Sequence, residues 1–325
     1  MTRGSVFSAA HWAVGGTVVF VVLIVWLLGV NGAREERART RMAAQRGAFA
    51  PADAVEMGRM PNQLREASGL VVSRVHPGVF WTHNDSGDEP RLYAIDATAK
   101  LLATFEVEGA AARDWEALAL GTCPGRSDTS CLYVADVGDN GFERESVAIY
   151  IVEEPDPSAG DSTVALLGTV PFTYPDGPHN AEGLAITTGA DLVVVTKERD
   201  RTTQFFEIPA ADVRIAALDE GMQTLAAGRP LPIEPDPSVG RLVTDVALNS
   251  DGNVLAVRTY SEIYFFRWPV TEQVEQVAEA CFLGELEPQG EGVAFRDDGR
   301  LVLTSESTLE GAGYLQVVRC PGIGG

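Results

Sequence analysis

An all-β fold, a β-propeller of five blades with room for a sixth, is predicted by three observations. A short aliphatic strand led by an acidic residue recurs along the chain, further strand-like runs follow each copy, and the turns between them are of hairpin type. The acid-led strands lie at residues 66–72, 115–120, 182–186, 245–248 and 291–295. Second runs follow at 79–83, 131–136, 192–196, 254–257 and 301–304, and third runs at 91–95, 147–152, 204–208, 263–268 and 314–318. Less regular fourth runs, such as 101–107 and 163–168, close the early units. The turns at 249–253 and 296–300 carry Asp251-Gly252 and Asp298-Gly299, a pairing suited to hairpins because glycine accepts positive φ. The last unit lacks a clear fourth run, so residues 54–60 are expected to supply it and close the ring, removing open sheet edges. Longer intervals after the second and third copies leave space for an eroded sixth blade.

The 325-residue chain is 45% hydrophobic with a formal net charge of -21, which repels a phosphate backbone and argues against nucleic-acid binding. Four segments are expected: a tail at 1–11, an uncharged apolar run at 12–30, a charged stalk and linker at 31–53, and the propeller at 54–325. At ~1.5 Å per residue the apolar run reaches about 27 Å, close to a bilayer core, and reads as a transmembrane helix or signal anchor, with a cleaved signal peptide as the alternative. Arg34, Arg37, Arg39 and Arg41 follow it, and the positive-inside rule would leave the propeller in the cytoplasm. The cysteines argue the other way. Cys123 and Cys131 bracket a short hairpin loop and can staple it, Cys281 and Cys320 can then lock the end of the ring, and disulfides persist in oxidising compartments. The expected location is therefore the cell membrane, single-pass, with the propeller on the extracytoplasmic side.

In a propeller the first strand of each blade lines the central channel, so Glu66, Glu116, Glu182, Asp245 and Glu291 are expected to converge at one mouth. Like charges there repel by ~1 kcal/mol per pair at about 4 Å even in water. Compensation can come from backbone N–H donors clasping neighbouring blades, from Lys197, Arg199 and Arg258, from proton uptake, or from a metal. Two AspXxxGlyAsp loops, 85–88 and 136–139, follow the second strands of adjacent blades. Asp85, Asp88, Asp136 and Asp139 are the first candidate ligands for Ca²⁺, a hard cation that takes carboxylate and carbonyl oxygens, with Asn84 and Asn140 in reserve. The alternative is an Asp/Gly turn capping its own backbone. Ca²⁺ is the one cofactor these residues suggest. Motifs of serine hydrolases, zincins and nucleotide hydrolases are absent from the sequence.

The ordered segments 66–72, 81–88, 114–119, 133–140 and 174–185 resemble bacterial propellers of the SdiA-regulated and phytase-like group. That resemblance implies that Glu182 ligates a metal or activates a metal-bound water, and that Lys197 and Arg258 hold phosphate oxygens. The expected function is a membrane-anchored module binding a small molecule or protein through an acidic, calcium-binding mouth. The alternative is a metal-dependent hydrolase of phosphate esters or lactones. A clasp, a metal cluster and an active site all remain open at this point.

Overall fold

The computed structural model of the protein describes residues 50–219, 221–284, 287, 289–309 and 311–323. The expected membrane run at 12–30 and most of the stalk lie outside the described residues, and no described helix is long and apolar enough to cross a membrane. Two compact units divide the chain, Met1–Ala48 and Phe49–Gly325, and the strands belong to the second.

The acid-led runs form the strands Ala67–Val72, Trp115–Cys123, Ala181–Ile186, Val243–Leu248 and Gly290–Phe295. Each packs beside the next, and Gly290–Phe295 returns beside Ala67–Val72, so these inner strands form a closed cycle. Each pairs antiparallel with its second strand: Val79–Asn84, Arg126–Asp136, Leu192–Thr196, Val254–Thr259 and Leu301–Ser305. The third strands follow outward, as a meander of hairpins requires. Because neighbouring sheets cover both faces, the inner strands are almost wholly buried and carry Ala, Leu and Val in place of a polar–apolar alternation.

The strand expected over 54–60 runs from Asp53 to Arg59 and pairs antiparallel with Tyr314–Arg319, so the start of the propeller completes its last sheet. The interval after the third copy holds a helix, Ala210–Asp219, packed on the strand Ser162–Thr173. Ala217 lies where a Cβ on Gly168 would collide with it, which is why the strand has glycine there. The extra length that left room for another blade is in part this helix. Gly252 (φ 66°) and Gly299 (φ 77°) stand in the two AspGly turns as expected.

Both disulfides are present, Cys123–Cys131 within a hairpin and Cys281–Cys320 between the short strand Cys281–Phe282 of one sheet and the residue after Tyr314–Arg319 of another. The second spans 39 residues against 8 for the first, so it constrains the unfolded chain more. Trp81 is fully buried, packs on Phe105 and donates from its indole N–H to Glu154 at 2.9 Å, while Trp115 donates to the Ala111 carbonyl at 2.7 Å. At the far end of the channel the inner strands, with Leu120, Ile186, Leu248 and Phe295, wall a cavity of about 730 Å³ that Arg74, Arg296, Asp297 and Asp298 also line.

Candidate functional site

Every inner strand carries a register shift near its start: Ser68/Leu70, Trp115/Ala117, Ala181/Gly183, Val243/Asp245 and Gly290/Val293. A bulge re-aims side chains, and here it recurs where the channel opens. The partners Ala67–Asn84, Trp115–Asp136, Ala181–Thr196, Val243–Thr259 and Gly290–Ser305 set the register on one side of each bulge. Counting one residue on from these partners aligns Ser68, Glu116, Glu182, Thr244 and Glu291 on the inner strands. The same step on the second strands aligns Asp85, Val137, Lys197, Tyr260 and Glu306.

This register places the expected carboxylates differently from a simple ring. Ser68 and Thr244 hold the equivalent places in their strands, and their hydroxyls donate to the Glu116 and Glu291 carbonyls at 2.8 and 3.0 Å. Asp245 sits one residue later, where its two oxygens accept from the Val246 and Val293 amides at 2.8 Å each. It is the blade-to-blade clasp. Glu66 is exposed ahead of its strand, and its register mate is Asp114. Arg258 is fully buried and committed to the Gly292 and Thr304 carbonyls and to Glu287, so the phosphate-holding role implied for it has no free guanidinium face.

Asp85, Asp114 and Glu116 bring one carboxylate oxygen each within 4.8 Å of one another. Glu116 is 2% exposed and hydrogen-bonds the Glu182 carboxyl, while Glu182 is ion-paired to Lys197 at 2.9 Å and accepts from Asn180 at 3.3 Å. Lys197 donates onward to the Tyr260 hydroxyl at 2.9 Å. On the sheet next to that of Asp85, Glu291 hydrogen-bonds Glu306 and accepts from Gln289 at 3.2 Å. A Cβ on Gly138 would collide with both Glu116 Oε1 and Asp114 Oδ2, so only glycine lets the backbone pass beneath this pair.

Burial and mutual repulsion work in the same direction on these acids. Burial first, then Asp85 and Glu182, push Asp114 up to about 6, and burial with Asp85 and Glu66 pushes Glu306 up to about 7. Glu116 and Glu291 are raised well above the carboxylate range, chiefly by burial. Burial alone would lower Lys197, but Glu182, Tyr260, Glu291 and Glu116 outweigh it and hold the ammonium charged. Groups whose folded pKa is raised stabilise the fold below their unfolded value, and that contribution is lost as pH rises through the folded value. For Asp114 and Glu306 the window runs from about pH 4 to 7. In metal-free buffer the Tm is therefore expected to be higher at pH 5 than at pH 8, a difference that differential scanning calorimetry reads directly.

Of the four acids in the AspXxxGlyAsp loops, Asp85 joins the cluster. Asp88 accepts from Asn84 (2.7 Å), Tyr93 (2.8 Å) and Arg91 (3.3 Å). Asp136 accepts from Arg144 at 2.8 Å and from the Asp114 amide at 3.1 Å, and Asp139 caps the Glu143 and Arg144 amides at 2.9 and 2.8 Å. The two motifs are offset by one residue: Asn84 and Asp136 are register equivalents, so Asp85 corresponds to Val137. Sequence reasoning missed Asp114, Tyr260 and Glu306. Their signal is positional, since each stands directly before an inner strand or directly after a second strand.

No family model and no curated protein matches the chain. Solved structures similar to it include the PQQ-bound form of an aldose sugar dehydrogenase from Streptomyces coelicolor, at 11% identity over 83% of this chain and 99% of that one, with a TM-score of 0.46. A glucose dehydrogenase matches at 12% identity over 82% and 99%, with a TM-score of 0.48. An oxidoreductase from Thermus thermophilus, also described as a glucose dehydrogenase, matches at 11% identity over 82% and 100%, with a TM-score of 0.48. These are β-propeller proteins, and the SdiA-regulated and phytase-like group is not among them. The sequence expectation of a binding module, or of a hydrolase of phosphate esters or lactones, finds no counterpart in these structures, which are described as sugar oxidoreductases. PQQ, an ortho-quinone tricarboxylate, is not matched by the side chains present. Lys197 is already paired with Glu182, Arg144 is paired with Asp136, Arg258 is paired with Glu287, and the surrounding mouth is acidic.

Proposed function

We propose that the channel mouth is the active site of an oxidoreductase acting on a hydroxyl group of a neutral, polyhydroxylated, sugar-like substrate. The observation that carries this reading is the convergence of Asp85, Asp114 and Glu116 beside the Glu182–Lys197–Tyr260 chain, with Glu306 close enough to feel the charge of Asp85. Acceptors in this number suit a substrate rich in O–H donors, while an anionic one would be repelled. Asp85, Asp114 and Glu116 are the residues that would hold a Ca²⁺ ion, whose Lewis acidity eases loss of a proton from a bound hydroxyl. Glu306, half-buried and raised toward neutrality, takes that proton, since a base works best when its pKa lies near the working pH, while the carbon gives up its hydrogen as hydride to a diffusible redox acceptor, the part the dye plays in the assay below. Glu182 holds Lys197 in place, and the ammonium and the Tyr260 hydroxyl orient a substrate oxygen.

The frame for this site is a five-bladed ring closed by residues 53–59, and its two disulfides support an extracytoplasmic setting. Dye-linked oxidation assays, with phenazine methosulfate as electron acceptor and Ca²⁺ present, test the substrate class. Neutral aldoses should reduce the dye and their phosphorylated counterparts should not. Equal rates on both, or none on any aldose, would remove the reading.

A further inference from the structure

The loop 137–146 leaves the mouth and is tied down along most of its length. The Asp139 carboxylate accepts from the Glu143 and Arg144 amides, the Asp139 amide donates to Asn180 Oδ1 at 2.6 Å, and Asn180 donates to Glu182 in the mouth. Arg144 is buried and donates to Asp136 and to the Gly138 carbonyl at 2.8 Å each. At the crest of this braced loop stands Phe142, 42% exposed and with φ at 54°. Among the described residues it is the one exposed Phe or Trp, every other one being buried or half-buried.

Both properties run against folding physics. A bulky side chain is disfavoured in the left-handed region, and a solvated phenyl ring gains nothing from burial. A turn needing positive φ is served better by glycine or asparagine. Strain held by surrounding structure at the edge of a site is a signature of function. The Glu143 and Arg144 amides, the Phe142 amide on the Asp139 carbonyl (3.0 Å) and the Asn180 bridge fix the turn that carries Phe142, four residues on from Gly138, whose backbone passes beneath Asp114 and Glu116.

We infer that Phe142 is a specificity-determining platform on which the C–H face of a pyranose-type ring stacks while its hydroxyls reach the carboxylates of the mouth. This rests on the proposed sugar oxidoreductase and names the residue that selects a ring over an open-chain polyol. A cyclic sugar presents an apolar face that fits an aromatic surface, and an open-chain alditol does not present it continuously.

The test compares wild type with Phe142→Ala, Phe142→Trp and Phe142→Gly, using dye-linked kinetics on glucose and sorbitol together with Tm. Phe142→Ala should raise KM for glucose by about tenfold, the scale of one lost ring contact, with kcat within about twofold. KM for sorbitol should move little, and Phe142→Trp should keep the wild-type preference. Phe142→Gly should raise Tm by relieving the backbone yet lose glucose affinity as the alanine variant does. If the wild type turns over glucose and both truncations leave KM unchanged while only Tm moves, Phe142 is a structural turn residue and the inference fails. If the wild type turns over neither compound, the proposed function itself fails and this inference goes with it.

Discussion

Glu306→Gln is expected to lower kcat by about 10²- to 10⁴-fold while leaving KM nearly unchanged, the effect of removing a positioned base. The amide keeps the size of the side chain and its hydrogen bond toward Glu291 but cannot accept a proton. Glu306 is half-buried at the open side of the mouth, and Glu291 at its side is fully buried. Glu306 can thus meet a substrate where Glu291 cannot. The check is steady-state kinetics from pH 5 to 9: the wild-type rate should fall on the acid side as Glu306 takes up a proton, and the residual rate of the variant should lose that limb. A variant that folds normally and retains its rate would remove Glu306 from the chemistry.

Lys197→Met should cost about 3–5 kcal/mol of stability, because it strips a buried cation from its partners and leaves their charge uncompensated. Lys197 is 7% exposed, paired with Glu182 and hydrogen-bonded to Tyr260, and it is the cation that faces Glu116 and Glu291. Its loss leaves Glu182 and Glu116 sharing one space with like charge, so one of them must stay protonated. Chemical denaturation at pH 8 reads the loss. At pH 5 the deficit should shrink, since the acids are then protonated without help. A loss below about 1 kcal/mol at pH 8 would mean that water, not Lys197, balances these acids.

The repeat made the ring legible before any coordinates, because an acid-led aliphatic strand buried on both faces leaves a periodic trace. Closure by residues 53–59 was legible for the same reason, as a missing fourth run at one end and a spare one at the other. What sequence spacing could not show was register to a single residue. A bulge inserts its extra residue without changing composition, so Asp245 looked like the mate of Glu116 when Thr244 holds that place. The same one-residue offset made the loops at Asp85 and Asp136 look equivalent and hid Asp114, which completes the cluster. Tyr260 and Glu306 belong to no motif and are found only by following the register from strand to strand. Arg258 looked available because nothing in its neighbourhood of the sequence reveals that Glu287 and two carbonyls from the next sheet enclose it.

The most direct test of the account is a Ca²⁺ titration of the folded chain at pH 8, followed by Tm, in wild type and in Glu116→Gln. Ligand at about 100 times its Kd stabilises by about 2.7 kcal/mol, so the wild-type Tm should rise by several degrees and return when EGTA is added. Glu116→Gln, which keeps the fold but removes one of the three converging carboxylates, should lose most of that response. A wild-type Tm that ignores both Ca²⁺ and EGTA, or a response that survives unchanged in Glu116→Gln, would contradict the claim that these acids form a cation-dependent active site.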